Sequence, residues 1–129
     1  MPRVLVIDDE PNQRRTLAIG LRLEGFEVTV AGNAHEALEQ LLTITVDVVL
    51  VDLMMPGVSG VEVHATLSRA APDMVRRILF VSGGAVTEET RAFVERPDIV
   101  VLGKPFDPAV VLTTIEEVVR REGRHERAG

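Results

Sequence analysis

Residues of the kinds that handle phosphate and metal ions follow four short apolar runs in this sequence. The pair Asp8-Asp9 follows the first run, Asp52 follows the central run, and Ser82 and Lys104 follow the two later ones. Crowded carboxylates repel one another unless a cation or a proton intervenes, and oxygen ligands without His or Cys favour Mg²⁺ over zinc. Because Mg²⁺ commonly completes its coordination with phosphate oxygens, a phosphoryl group is the natural partner of this set.

Each of these residues has a chemical role that its type allows. Lys104 would neutralise charge on the phosphoryl group, and the hydroxyl of Ser82 would donate a hydrogen bond to it. Two roles are open to Asp52: it is a metal ligand alone, or it is also the nucleophile that forms an acyl phosphate. Either role requires residues that are far apart in the sequence to converge.

The segment 46–52 is the element that positions Asp52. It is a near-unbroken run of β-branched and aliphatic residues, and the turn Pro56-Gly57 follows it closely. The run is too short for a membrane span and too uniformly apolar for a half-exposed strand, so it predicts a central strand covered on both faces. In open α/β sheets, ligands bind outside the carboxyl ends of the strands, which is where Asp52 falls.

The rest of the chain alternates strands with helices. Four further strands are predicted over residues 4–7, 27–30, 78–81 and 99–102, and the second of these alternates polar with apolar residues as an edge strand does. Helices are expected to begin near Pro11, after Asn33, at Gly60, after Thr87 and at Pro108. This order predicts an α/β fold with a parallel sheet.

Two local expectations accompany this assignment. One of the three acids Asp8, Asp9 and Glu10 should cap the first helix, which leaves the others unexplained by capping. On the third helix, Val63 and Leu67 are the expected core contacts. His64 has no acidic or His partner at ligand spacing, so we expect a surface or half-buried side chain rather than a catalytic one.

Composition limits the classes of protein to consider. The chain has 129 residues, no Cys and a formal net charge of −6. These values predict one domain over residues 1–122 with a solvated tail at 123–129, a cytoplasmic location, and no disulfide or zinc-thiolate site. The acidic balance argues against direct nucleic-acid binding, and no segment has the length of a membrane span or the pattern of a signal peptide.

The spacing of the polar residues resembles a known family. Residues at five positions, in this order and at these intervals, are similar to the receiver domain of two-component response regulators: Asp8-Asp9, Asp52 before Met55-Pro56-Gly57, Ser82, and Lys104-Pro105-Phe106. The resemblance extends from Arg3 to Arg120. It implies a doubly wound, flavodoxin-like fold with strand order 2-1-3-4-5 and helices on both faces of the sheet.

The resemblance also implies roles for the site residues. Asp52 would accept a phosphoryl group from a histidine kinase or a phosphotransfer protein, with Lys104 pairing the phosphate and Ser82 turning its hydroxyl toward it. Asp9, Asp52 and the backbone carbonyl of Met54 would bind Mg²⁺ directly. Asp8 would act largely through water, and the Lys104-Pro105 bond would be cis.

At the level of function, the resemblance implies a phosphoacceptor that slowly loses its phosphate rather than a turnover enzyme. The face formed by the fourth helix, fifth strand and fifth helix would bind a second copy or an output domain. The run 82–87 and the aliphatic fifth strand resemble receivers attached to hybrid sensor histidine kinases, so a fragment of such a kinase is an alternative interpretation.

Two departures from the family pattern bear on switching and on the lifetime of the phosphate. The fifth strand has Val101 where the family often has Tyr or Phe, so a conventional aromatic switch is absent. Met54 and Gly84 flank the expected acyl phosphate, and neither side chain can orient an attacking water by hydrogen bonding, whereas Gly83 leaves the approach open.

Three other functions fit parts of the pattern. An Mg²⁺-dependent aspartyl-phosphate phosphatase would also use Asp, Mg²⁺ and Lys, but its nucleophile ends the first strand in an Asp-x-Asp arrangement. A flavin binder would need a hydroxyl- and Gly-rich loop where this chain has Asp8-Asp9-Glu10, and that anionic segment repels phosphate. A receiver that only docks and is never phosphorylated would be expected to lack Asp52 or Lys104, and both are present.

Overall fold

Strands and helices alternate along the chain, as the sequence predicts. The computed structural model describes residues 2–53, 60–83, 87–103 and 108–128. The strands are β1 (Arg3–Ile7), β2 (Glu27–Ala31), β3 (Val48–Asp52), β4 (Ile78–Ser82) and β5 (Val101–Gly103). The helices are α1 (Pro11–Leu23), α2 (Ala34–Leu41), α3 (Gly60–Ala70), α4 (Glu88–Val94) and α5 (Pro108–Ala128), and a 3-10 turn (Pro72–Arg77) precedes β4.

The strands form one parallel sheet in the order β2-β1-β3-β4-β5. This order confirms the predicted doubly wound fold and places β3, with Asp52 at its end, in the centre. The half-polar strand β2 lies at an edge, as its alternating pattern predicts. No helix in the described ranges combines the length and apolar character needed to cross a membrane.

Two apolar layers cover the sheet, because successive side chains of a strand point to opposite faces. On β1, Leu5 and Ile7 pack with side chains of α2, α3 and α4, whereas Val4 and Val6 pack with side chains of α1 and α5. All four of these β1 side chains are fully buried. The continuous apolar runs of the central strands are therefore explained by burial on both faces.

Helix boundaries follow local signals in the sequence. The Asn33 side chain accepts a hydrogen bond from the Glu36 amide at 2.9 Å, and the Glu36 carboxylate accepts one from the Gly32 amide at 2.8 Å. This reciprocal arrangement confirms the predicted cap of α2. After α1, Gly25 has a φ of 97°, a conformation that glycine adopts readily. Thr87 precedes α4 as predicted, but its side chain makes no capping hydrogen bond.

One expectation for the last third of the chain is corrected. The fifth strand is Val101–Gly103 rather than 99–102, because the Ile99 amide donates to the Arg96 carbonyl in the turn after α4. At the far end, α5 continues to Ala128, and Glu122 on this helix is buried. Arg121 donates to the Glu122 carboxylate at 2.9 Å and to the Arg76 carbonyl at 2.9 Å, so it connects α5 with the turn before β4.

Candidate phosphorylation site

The carboxylates Asp8 and Asp52 lie at the ends of neighbouring strands. Ile7 pairs with Val51 in the β1–β3 register, and Asp8 and Asp52 are the next residue on each chain segment. Adjacent strands are about 4.8 Å apart, so the register brings the two backbones together. Only 2% of Asp8 and 6% of Asp52 are exposed. Two buried acids at one end of the sheet are costly unless polar partners or a cation compensate them.

Of the three acids that follow β1, one caps α1 and the other two do not. The Glu10 carboxylate accepts hydrogen bonds from the Asn12 amide at 3.1 Å and the Gln13 amide at 2.7 Å, so Glu10 caps α1. Asp8 Oδ1 accepts from the Glu10 amide at 3.0 Å and so shapes the turn into the helix. Asp9 is half-buried. Capping therefore leaves Asp9 available for another role.

Ser82 lies one strand away from Asp52. Asp52 pairs with Val81 in the β3–β4 register, which makes Ser82 the next residue, and Ser82 in turn pairs with Gly103 on β5. Ser82 is buried. Lys104 directly follows Gly103 in the sequence but lies outside the described residues. The same is true of Met54, of Gly84 and of the Lys104-Pro105 bond that we expected to be cis.

The start of α3 packs directly on the end of β3, a contact that the sequence did not reveal. The Gly60 amide donates to the Leu53 carbonyl at 2.8 Å. A Cβ atom on Gly60 would lie 2.7 Å from Leu53 Cα and 3.0 Å from the Asp52 carbonyl oxygen. Glycine is therefore required at this position for the close approach, and it holds the backbone that carries Asp52.

The donor set of the predicted metal site consists of oxygen atoms alone. The expected direct ligands are the carboxylates of Asp9 and Asp52 and the carbonyl of Met54, a set that suits Mg²⁺. Within the part of the chain that the structure describes, no three His, Cys, Asp or Glu side chains are grouped so as to hold a metal ion. The expected convergence of three carboxylates is thus not observed among these residues, whereas the two-carboxylate set remains chemically suited to Mg²⁺.

The comparisons with known proteins assign the family. Residues 4–116 match the response regulator receiver domain. This chain belongs to that family. Receiver domains act in two-component systems, in which transfer of a phosphoryl group to an Asp is the general function and histidine kinases or phosphotransfer proteins are the partners. Receiver domains generally depend on Mg²⁺.

Individual relatives agree with this assignment. The DNA-binding response regulator MtrA of Mycolicibacterium smegmatis is 32% identical over 119 residues, which are 92% of this chain and 51% of MtrA. The response regulator TrrA of Thermotoga maritima, solved in complex with Mg²⁺-BeF, is 30% identical with a TM-score of 0.69, and the match covers 92% of this chain and 99% of that one. A sensor protein from Polaromonas is 29% identical with a TM-score of 0.78, covering 94% and 98%. The chain spans about half the length of the curated relatives it matches.

A groove on the surface adjoins Asp8. This groove of about 700 Å³ separates α1 from α5 and extends to Asp8 and Glu10. Its apolar lining comes mainly from both helices: Leu17, Leu21, Phe26, Val111 and Leu112. The space between these two helices was not predicted from the sequence.

Proposed function

We propose that this receiver domain accepts a phosphoryl group on Asp52 from the phosphohistidine of a kinase or phosphotransfer protein, and that the modification switches its contacts with other proteins. The observation that carries the proposal is the position of Asp52. It is a buried carboxylate at the carboxyl end of the central strand, one strand from Asp8 and one from Ser82. In an open α/β sheet this is the place where a ligand binds.

In the proposed reaction a carboxylate oxygen of Asp52 attacks phosphorus as the P–N bond to the donor histidine breaks. The electron pair of that bond returns to the imidazole nitrogen, which binds a proton from solvent, and Asp52 becomes an acyl phosphate. Lys104 pairs with the phosphoryl oxygens, and the Ser82 hydroxyl donates to one of them. Water later attacks the phosphorus and regenerates Asp52 with release of phosphate, so the chain is a phosphoacceptor rather than a turnover enzyme.

Asp9, Asp52 and the Met54 carbonyl would hold Mg²⁺, and Asp8 would act through water. The ion would neutralise charge on the phosphoryl oxygens and so permit a dianionic group to approach these acids. Burial of Asp8 and Asp52 supports this proposal, because two carboxylates at one strand edge are compensated well by a divalent cation. The Mg²⁺-BeF complex of TrrA supports the same ion.

We propose that the phosphoryl donor docks in the groove between α1 and α5. The groove extends to Asp8, so a helix lying in it would present its histidine near Asp52. The lining is apolar along most of its length, and Leu23 at its margin is exposed. An amphipathic helix of the partner would bury this surface, as helix-in-groove recognition does elsewhere.

We propose two candidate roles for this domain in signal output. A second copy or an output domain would contact the face of α4, β5 and α5. With a net charge of −6, this domain is expected not to bind nucleic acid directly, although relatives such as MtrA are DNA-binding regulators. A receiver of a hybrid sensor kinase is the second candidate, supported by the similarity to the Polaromonas sensor protein. We also propose that the receiver domain comprises residues 1–122, that 123–129 form a C-terminal tail, and that the protein is cytoplasmic.

Intact-mass spectrometry after incubation with acetyl phosphate and Mg²⁺ tests the phosphoacceptor proposal. We expect one phosphoryl adduct on the wild-type chain and none after addition of EDTA or in Asp52→Asn. Asp47→Asn is the matched control, because Asp47 lies just before the opposite end of β3 and accepts a hydrogen bond from the Arg3 amide at 2.8 Å. Loss of the adduct in Asp47→Asn as well, or its persistence in Asp52→Asn, would contradict the proposal. Repeated turnover of a generic phosphate ester would favour the phosphatase instead.

A further inference from the structure

His64 on α3 is buried in a cluster of aromatic rings, contrary to our expectation of a surface or half-buried residue. Only 7% of it is exposed. Its ring centroid lies 5.2 Å from that of Phe93 on α4 and 6.0 Å from that of Phe80 on β4. The two phenyl rings are themselves 5.3 Å apart and nearly perpendicular. We call His64, Phe80 and Phe93 the ring cluster, and it joins α3, β4 and α4.

The hydrogen bonds of His64 favour its neutral form. The Ser68 hydroxyl donates to the His64 carbonyl at 2.7 Å, so Ser68 Oγ can serve the imidazole only as an acceptor, 3.5 Å from Nδ1. The two Ser68 contacts favour a ring proton on Nδ1, which makes Nε2 the acceptor nitrogen of the neutral ring. Nε2 is buried and has no hydrogen-bond partner among the residues that the structure describes. A second proton would place a charged N–H there without an acceptor.

Burial and the charge of Arg96 also favour the neutral form of His64. Burial lowers the pKa of His64, the positive charge of Arg96 lowers it further, and Asp98 opposes them. Arg96 lies 5.4 Å from the centre of the Phe93 ring and donates to both carboxylate oxygens of Asp98, at 3.0 and 2.6 Å. The described parts of β4 and β5 carry no titratable side chain. The other charged side chains described on α3, on α4 and at the end of α4 are exposed: Glu62, Arg69, Glu88, Arg91 and Glu95.

Helix α4 depends on the ring cluster for its place on the domain. It has seven residues, too few to be stable as an isolated helix. Among the side chains described for it, Phe93 is the one large apolar group that is buried, and Thr90 is the other buried residue. Whatever weakens the contact between Phe93 and His64 therefore weakens the docking of α4.

We propose that the ring cluster is an acid-sensitive latch for α4: neutral His64 holds the helix against α3 and β4, and proton uptake by His64 favours its release. In the closed state none of the described residues accepts a hydrogen bond from a proton on Nε2, whereas in the open state water does. Because the open state binds the proton more tightly, acid shifts the equilibrium toward it. The proposed latch does not depend on phosphorylation of Asp52. It is nevertheless close to the proposed phosphorylation site in the chain, because Phe80 lies two residues before Ser82 on β4.

The size of the pH effect follows from the thermodynamic linkage between proton binding by His64 and the opening of α4. If His64 has its ordinary pKa of 6.5 when α4 is open and stays neutral when α4 is closed, the opening constant scales as one plus the ratio of protonated to neutral imidazole. Between pH 7.5 and pH 6.0 this sum rises from about 1.1 to about 4.2. We therefore expect α4 to open about fourfold more often at pH 6.0. That pH lies above the pI of about 5.0, where the chain retains its negative charge.

Hydrogen exchange of the α4 amides at pH 7.5 and 6.0, corrected for the intrinsic effect of pH, tests the latch in the full chain. Wild type should show the fourfold rise, and His64→Phe and His64→Leu should show less than a twofold change. His35→Gln is the control, because His35 is on α2, 83% exposed and paired with Glu39, so this variant should behave as wild type. Unchanged α4 exchange in wild type, or an acid effect that persists in folded His64 variants, would overturn the proposal.

An NMR titration of the wild-type His64 ring gives a second readout that no variant can confound by misfolding. We expect its midpoint below 6.5, with the proton on Nδ1 in the neutral form. A midpoint at or above 6.5 would show that the closed cluster accepts the proton without penalty, and the latch would then be excluded.

Discussion

Replacing Gly60 with alanine should move the backbone that carries the proposed acceptor. The new Cβ atom would lie 2.7 Å from Leu53 Cα, about 0.8 Å closer than an ordinary carbon contact of ~3.5 Å. It would also lie 3.0 Å from the Asp52 carbonyl oxygen. Because both neighbours are backbone atoms of β3 and the residue that follows it, no side-chain rotation relieves the clash, and either the strand end or the start of α3 must shift.

The magnitude combines two opposing contributions. Overpacking of this kind costs about 1–3 kcal/mol, and the higher helix propensity of alanine returns less than ~1 kcal/mol because Gly60 is the first residue of α3. We expect a net loss of about 2 kcal/mol in the free energy of unfolding, or roughly 8 °C in the melting temperature. We also expect a slower rate of adduct formation from acetyl phosphate, since Asp52 moves with the strand.

Gly20→Ala is the matched control for this prediction. Gly20 lies inside α1, and apart from its chain neighbours and the nearby backbone of its own helix, no heavy atom of the described residues would lie within 4 Å of a Cβ atom there. The same chemical change should therefore stabilise the fold by about 0.5–1 kcal/mol and leave adduct formation unchanged. Urea denaturation with an unchanged m-value gives both free energies. If Gly60→Ala matched wild type in stability and in adduct rate, the close contact between α3 and β3 would be refuted.

Three further predictions test other parts of the account. Glu10→Ala should lower the free energy of unfolding by about 1 kcal/mol in urea denaturation, because it removes the cap of α1, and a value near zero would contradict that role. Glu27→Gln should change stability by less than ~1 kcal/mol by the same assay, since its 2.8 Å pair with Arg3 is solvent-exposed; a larger loss would show that the pair matters structurally. Lys104→Ala should keep Mg²⁺ affinity, measured by calorimetry, while adduct formation falls, and a collapse of Mg²⁺ binding would instead assign Lys104 a structural role.

The arrangement of the sheet could be predicted because its signals are local. The uninterrupted apolar run before Asp52 requires burial on both faces, and the alternating pattern of β2 requires an edge. Both were confirmed by the strand order. The position of Asp8 beside Asp52 followed from the same reasoning, since parallel strands bring their carboxyl ends to one edge of the sheet.

Features that depend on contacts between distant segments were not predictable in this way. His64 has no unusual sequence neighbours, and its burial depends on rings supplied by β4 and α4. The cap of α1 was expected from one of three acids, and only the backbone geometry selects Glu10. Ile99 is β-branched, as strand residues often are, but its amide donates a hydrogen bond within a turn. The buried position of Glu122 likewise depends on packing at the far end of α5.

Borohydride trapping of the phosphorylated chain, followed by peptide mass spectrometry, tests the central claim most directly. Hydride reduces an acyl phosphate to the corresponding alcohol, so the modified aspartate is converted to homoserine and its position is fixed in the sequence. We predict homoserine at position 52 alone, only after treatment with both acetyl phosphate and Mg²⁺. Reduction at Asp8 or Asp9 instead, or a stable adduct with no reducible carboxyl, would contradict the assignment of Asp52 as the phosphoacceptor.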